Sequence, residues 1–171
     1  MSYYDNDLFK KDSKTNHYGK TRIYNIKKNL QFTTIEDSPE APPYYKIILN
    51  QYHLKYLAEM DAKGTKPLSF NYMKLKYGLP NNLDHYFIIN PKHESFKKPK
   101  SIHQKNAYIL IIFYKMSLEH ANLFLESLNY PRLDSPLASN LTKCIRYALS
   151  CSYTLEEVNQ LLSDSKIETL F

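Results

Sequence analysis

Apolar positions recur with a helical period through most of the chain after its first 43 residues. In the segment 44–62 they fall close to every 3.6 residues, which predicts a long helix, and Gly64 just beyond it is a typical stop. Shorter patterns predict helices at 70–77 and 80–90, separated by Gly78 and Leu79. The central part of the chain therefore contains three consecutive predicted helices.

The C-terminal part has the same period. Residues 101–115 are apolar at so many positions that we expect a helix covered on most sides. Further helices are predicted at 117–128, at 141–150 and from Thr154 onward, where Thr154 and Glu157 form a capping-box pattern. The chain is thus predicted to have about seven helices and little strand, which is an all-α fold.

A nine-residue segment occurs twice, 37 positions apart. SLEHANLFL begins at Ser117 and TLEEVNQLL begins at Thr154. A repeat of this length indicates a helical pair that buries its apolar face by stacking on a neighbour. Asn122 and Asn159 are equivalent, and we expect each to hydrogen-bond a nearby backbone turn. The positions expected to be buried between the repeats are Leu118, Ala121, Leu125, Leu155, Val158, Leu161 and Leu162.

The segment before residue 44 differs from the rest in composition. It is polar over most of its length and ends in a cluster of prolines, which prevents a helix from passing through it. We therefore divide the chain into an irregular N-terminal arm at 1–43, a helix-turn-helix-like domain at 44–100 and two stacked helical-pair repeats at 101–171.

Positive charge is concentrated in the middle of the chain. The formal net charge of the whole chain is +6. Residues 51–105 carry 10 Lys/Arg against 4 Asp/Glu, whereas residues 106–171 carry 5 against 7. A basic centre is typical of a surface for an anionic partner, although lysines are also common on ordinary solvated surfaces.

No catalytic or metal-binding pattern is present. The chain has only three glycines, so a glycine-rich phosphate loop is not expected, and its six histidines lack metal-ligand spacing. Cys144 and Cys151 are seven residues apart and cannot bridge on one helix; we expect two buried, reduced thiols. The chain also has no apolar run of membrane-spanning length. The expectation is a cytoplasmic protein that is not an enzyme and has no cofactor, metal or membrane partner.

The order of elements resembles a known class of DNA-binding protein. One helix precedes Phe70-x-x-Met73-x-x-x-Tyr77-Gly78-Leu79, which is followed by Phe87-x-x-Asn90 and by the two repeated segments, ending near Pro131-x-Leu133 and Leu170. Over about three quarters of its length, from residue 45 to 171, the chain resembles a bacterial family of Cro/repressor-type helix-turn-helix proteins with two helical-pair repeats. In such a motif the turn glycine lets two helices cross steeply.

The resemblance implies that the helix at 80–90 lies in the position of a DNA-reading helix. Asn81, Asn82 and His85 would then face base edges of double-stranded DNA. Two features differ from the family: Asp84 replaces a small or apolar residue, and Lys74 replaces a small buried one. The lysines expected to contact phosphates are Lys74, Lys76, Lys92, Lys97, Lys98 and Lys100.

A second function fits the same sequence. The expected reading helix has no Arg, Lys or Gln, the repeat region is slightly acidic, and the chain is rich in tyrosine, which is favoured in protein interfaces. The alternative is therefore a non-enzymatic protein-binding adaptor or inhibitor, of the kind that phages and mobile elements encode. In either case the repeats are expected to serve self-association, as in a homodimer, or partner docking.

Overall fold

The protein is all-helical in the computed structural model, which describes residues 44–87 and 102–171. Within those residues there are six α-helices, one 3-10 helix and no strand. The all-α prediction is therefore confirmed. The helices are α1 (Tyr44–Ala62), α2 (Phe70–Tyr77), the 3-10 helix (Leu83–Tyr86), α3 (Gln104–Phe113), α4 (Leu118–Ser127), α5 (Asn140–Ser150) and α6 (Leu155–Asp164).

The described residues fall into two compact units. One unit contains 44–67 and 84–87; the other contains 68–83 and 102–171. This grouping differs from the predicted division into 44–100 and 101–171, because α2 belongs with the repeats. The N-terminal arm at 1–43 lies outside the described residues. Hereafter the second unit is called the repeat unit.

The ends of α1 and α2 agree with the local sequence signals. The segment after α1 contains Gly64 at φ 62°, in the left-handed region that glycine tolerates best. Ser69 caps the start of α2, and its side chain accepts a hydrogen bond from the Tyr72 N–H at 3.2 Å. Gly78 ends α2 with φ 63° and ψ 26°. The predicted helices at 44–62 and 70–77 are thus confirmed.

The helix predicted at 80–90 is shorter and of a different type where the structure describes it. The Leu83 N–H donates to the Pro80 carbonyl at 3.0 Å, and the Phe87 N–H donates to the Asp84 carbonyl at 3.1 Å. These i to i+3 bonds belong to the tighter 3-10 helix. Asp, His, Tyr and Phe are weak helix formers, and they occupy positions 84–87. Residues 88–90 lie outside the described part of the chain.

The repeat is present in the backbone. Helices α4 and α6 each have ten residues and begin 37 positions apart, at Leu118 and Leu155. The non-glycine residues with positive φ also repeat at this interval. They are Lys115 (48°) and Ser152 (56°) before the second helix of each pair, and Asn129 (62°) and Lys166 (56°) after it.

The side-chain bonds that hold each helical pair repeat with the backbone. Asn122 Oδ1 accepts from the Leu133 N–H at 2.8 Å, and Asn159 Oδ1 accepts from the Leu170 N–H at 2.8 Å. Both asparagines fold back the segment after their helix, as predicted. The capping box at Thr154 is also confirmed, since Thr154 and Glu157 bond each other's backbone N–H groups.

The core of the repeat unit is built around α3. This helix packs against α5 and α6, and α5 also contacts α4 and α6. Residues 107–112 of α3 are all buried, in agreement with the prediction of a helix covered on most sides. The Tyr108 hydroxyl lies 2.9 Å from the Thr142 hydroxyl and accepts from the Gln104 side chain, and burial raises the pKa of Tyr108. A polar link therefore connects α3 to α5 inside the core.

The prediction of burial between the repeats is wrong for two leucines. Leu118 is 39% exposed and Leu161 is half-buried, whereas the other five predicted positions are buried. Leu118 is the first residue of α4, and its equivalent Leu155 is buried at the start of α6. The salt bridge from α2 to Glu156, next to Leu155, places α2 beside the start of α6.

The cysteine prediction was right about pairing and wrong about burial. Both Cys144 and Cys151 are free thiols. Cys144 is only half-buried and Cys151 is exposed, because Cys151 follows the last turn of α5 rather than lying inside it.

Candidate functional site

The three residues expected to read DNA bases lie in a turn and in the 3-10 helix. Asn81 is exposed, whereas Asn82 and His85 are half-buried. The His85 Nε2 atom lies 3.6 Å from a carboxylate oxygen of Asp84. The Asp84 carboxylate therefore lies beside the His85 ring.

The two lysines of α2 have partners within the repeat unit. Lys76 Nζ lies 2.8 Å from Glu156 Oε1 on α6, and this hydrogen bond raises the pKa of Lys76 and lowers the pKa of Glu156. Lys76 also lies over the Tyr77 ring, 5.1 Å from its centroid. Lys74 Nζ lies 3.5 Å from Asn71 Oδ1. Lys76 is therefore the less available of the two for a phosphate.

The side of α2 that meets the repeats is aromatic. The Tyr77 ring contacts Phe113 at 6.1 Å and Phe171 at 5.2 Å, both edge to face. Together with the Lys76–Glu156 bridge, these contacts fix α2 on the helical pairs. The remaining predicted phosphate contacts, Lys92, Lys97, Lys98 and Lys100, lie outside the described residues.

A groove that the sequence did not predict lies between the two repeats. Its volume is about 390 Å³, and equivalent positions of the two copies line it. We call it the inter-repeat groove. Ile112 corresponds to Leu149, Lys115 to Ser152, and Met116 to Tyr153, each 37 positions apart. The other lining residues are Ser117, Leu118, Arg146 and Ser150.

The inter-repeat groove combines an apolar floor with a basic edge. Ile112 and Met116 are buried beneath it, and Leu118 is partly exposed at its side. Lys115 and Arg146 are the charged residues of the lining, both are exposed, and the lining contains no acid. Within the described chain neither cation has a salt bridge, although Arg146 lies close enough to Asp134 to help lower the pKa of that carboxyl, after the larger effect of Arg132. Such a surface suits a ligand with an apolar group beside a negative charge.

Two of the three serine hydroxyls that line the groove are used by the fold. Ser117 caps α4 by accepting from the His120 N–H at 3.2 Å, and Ser150 donates to the Tyr147 carbonyl at 2.7 Å.

The sequence contained one signal for this groove. The 37-residue register places Ile112 opposite Leu149 and Met116 opposite Tyr153, so the equivalence of the two turns can be read from the sequence. It did not show that stacking would leave a gap between those turns, because that depends on which side chains the neighbouring helices cover.

Over residues 44–87 and 102–171, no group of histidine, cysteine or carboxylate side chains is arranged to hold a metal ion. None of the helices in these ranges has both the length and the apolar character needed to cross a membrane. Comparison of the chain with protein-family models, curated proteins and solved structures found no match.

Proposed function

We propose that the protein is a regulator that binds double-stranded DNA through a helix-turn-helix-like segment at 71–90. The observation that carries the proposal is the burial pattern around Gly78. Met73, Tyr77, Leu79 and Leu83 are all buried, while Asn81 between them is exposed. A left-handed glycine directly after α2 supports this proposal, because the turn of a helix-turn-helix often contains glycine.

Two kinds of contact are expected in this proposal. Asn81 and Asn82 can pair with adenine through two hydrogen bonds, and His85 can donate to a guanine or to a phosphate. The lysines at 92–100 supply sequence-independent attraction to phosphates. The short 3-10 helix and Asp84 limit the number of base contacts, so affinity is expected to depend chiefly on phosphates.

The proposal is tested with a fluorescent pool of random duplexes at two salt concentrations. Binding through phosphates falls steeply as the salt concentration rises, by about tenfold or more between about 50 and 200 mM for several contacts. The double substitution Lys97→Ala/Lys98→Ala is expected to weaken binding uniformly. Lys143→Ala/Lys166→Ala removes two exposed lysines of the repeat unit and serves as the matched control.

Base reading needs a separate measurement. Selection of preferred duplexes from the pool is repeated with Asn81→Ala and Asn82→Ala. A changed sequence preference with little change in overall affinity is expected. Absence of duplex binding at the lower salt concentration, by a protein that is folded by circular dichroism, rejects the proposed function.

A further inference from the structure

The repeat unit has a second surface that the DNA-binding proposal does not use. We propose that the inter-repeat groove binds a short peptide segment of a partner protein in which an acidic residue lies beside a large apolar residue. The groove shares no residue with the segment 71–90, so this inference does not depend on duplex binding.

Charge complementarity is the first argument for this occupant. Lys115 and Arg146 are the groove's two charged residues, and both are cations on the surface. The surrounding region 106–171 carries 5 Lys/Arg against 7 Asp/Glu, so a lining with two cations and no acid differs from the rest of the region. A carboxylate that enters the groove gains attraction from these cations, in competition with Asp134 for Arg146.

The shape and chemistry of the floor are the second argument. Ile112, Met116 and Leu149 provide an apolar floor in a cavity of about 390 Å³, a size that accepts a large side chain. Aromatic and aliphatic anchors in such pockets supply most of the energy of peptide recognition. The lining therefore combines an apolar pocket with a carboxylate site.

Apolar surface continues beyond the cavity, and this favours a chain segment over a compact small molecule. Tyr147 is 53% exposed, and its ring meets the edge of Tyr153 in the groove with 6.0 Å between centroids. Leu118 is 39% exposed on the α4 side. A ligand confined to the cavity would contact Leu118 but leave Tyr147 in water, whereas an extended peptide can cover both side chains.

The framework around the groove is fixed before any ligand binds. The Met116 N–H donates to the Ile111 carbonyl at 3.1 Å, and the equivalent Tyr153 N–H donates to the Ala148 carbonyl at 3.0 Å. Both turns are thus closed by backbone bonds at the same position of the repeat. A preformed groove loses little conformational entropy on binding, which favours recognition of a short peptide.

The test uses a phage-displayed library of random twelve-residue peptides selected on the intact, biotinylated protein. Peptides that pair Asp or Glu with Leu, Phe, Tyr or Trp are expected to be enriched. The most enriched peptide is synthesised with a fluorescent label, and its affinity is measured by fluorescence anisotropy. No enrichment, or enrichment of peptides without acidic residues, overturns the proposal.

Variants locate the binding site. Arg146→Glu is expected to weaken peptide binding at least tenfold and Leu118→Ala about threefold; both residues are exposed, so the fold should be retained. Lys143→Glu makes the same charge change on an exposed position of α5 outside the groove, and it should change affinity less than twofold. Equal weakening by Arg146→Glu and Lys143→Glu would show non-specific charge attraction and overturn the assignment.

Self-association is the competing use of the same surface. Sedimentation equilibrium of the protein alone measures it over a range of concentrations. A monomer that binds the peptide supports the proposal. A dimer that Arg146→Glu dissociates overturns it, because the groove would then be an interface between two copies. Duplex binding by Arg146→Glu is measured in parallel, and unchanged duplex binding separates failure of the groove from failure of the proposed function.

Discussion

The first and second helical pairs have the same backbone but bury different parts of their helices. Helix α3 buries residues 107–112 without a break, whereas α5 buries only Thr142, Ile145 and Ala148. The left-handed turn residues and the asparagine bonds nevertheless repeat at the same interval. Local hydrogen bonds thus determine the shape of each pair, and the neighbouring helices determine which of its side chains leave water.

The start of the second helix in each pair shows the same difference. Leu155 on α6 is 3% exposed beside α2, and Leu118 on α4 is 39% exposed at the groove. One sequence position therefore has a core role in one copy and a surface role in the other. Mutations at equivalent positions measure how far this difference extends.

The largest effect is expected for the leucines that both copies bury. Leu125→Ala and Leu162→Ala each remove a side chain that is 0% exposed, so each should lower the free energy of unfolding by about 2–5 kcal/mol. Leu161→Ala should cost clearly less, because that side chain is only half-buried. Urea denaturation measures all three. A loss for Leu161→Ala as large as for Leu162→Ala would contradict the assigned burial.

The asparagine bonds come next. Asn122→Ala removes a buried acceptor and leaves the buried Leu133 N–H without its partner, at a cost of about 1–3 kcal/mol. Asn159→Ala also removes the exposed bond from Asn159 Nδ2 to the Phe171 carbonyl at 2.9 Å, but it should still cost less, because water can reach the Leu170 N–H more easily. A loss as large as that of Asn122→Ala in thermal and urea denaturation would contradict this expectation.

Removal of the helix caps should give a smaller difference in stability between the two copies. Thr154→Ala removes the side-chain oxygen that accepts from the Glu157 N–H, which is one of the two bonds of the capping box, and should cost about 1 kcal/mol. Ser117→Ala removes the corresponding bond from the His120 N–H, in a cap that has His120 where the second copy has Glu157, and should cost less. The measurement is again urea denaturation. Glu157→Ala, which removes the reciprocal bond to the Thr154 N–H, is the matched comparison; no loss of stability in either Thr154→Ala or Glu157→Ala would contradict the assignment.

Substitution at the left-handed turn residues should stabilise the protein. Lys166 has φ 56°, which disfavours residues with a Cβ, so Lys166→Gly is expected to add about 0.5–1 kcal/mol. Asn129→Gly should change stability little, since asparagine tolerates this conformation. The melting temperatures of the two variants test this prediction. A lower melting temperature for Lys166→Gly would show that the Lys166 side chain stabilises the fold by more than the left-handed backbone conformation destabilises it.

The smallest effect is expected for the exposed Lys76–Glu156 bridge. The pKa of Glu156 lies below its ordinary 4.5 in the folded protein, so the bridge stabilises the fold above that pH and is lost as the pH falls through the lowered value. Glu156→Gln should therefore reduce stability at pH 7, and the loss should shrink as the pH falls below 4.5. Glu119→Gln, at the equivalent position of the first copy, should be neutral over the same pH range. A pH-independent loss for Glu156→Gln would contradict this origin.

The sequence predicted the fold well where local signals and periodicity agree. The bounds of α1 and α2, both C-terminal asparagine bonds and the capping box followed from spacing and from residues with known local roles. It failed at the 3-10 helix, where an Asn-Pro-rich flank looked like a helix start but weak helix formers follow. It also failed at Leu118, because periodicity identifies an apolar face without saying what covers it.

The candidate sites divide in the same way. Asn81, Asn82 and His85 are close to one another in the sequence. Their proximity in the structure could therefore be predicted. The salt bridge between Lys76 and Glu156 could not be predicted, because 80 residues separate the two in the chain (156 − 76). The inter-repeat groove joins residues from two turns, and only three-dimensional stacking brings them together.

The pairing of Ile112 with Leu149 and of Met116 with Tyr153 has a consequence for protein engineering. Each copy contributes one wall of the groove from the same positions. Inserting a third copy of the 37-residue module in register would create a second cleft between the new copy and its neighbour, so the number of clefts would be one less than the number of modules. The amino acids at those few wall positions would then set the preference of each cleft separately, on one constant scaffold.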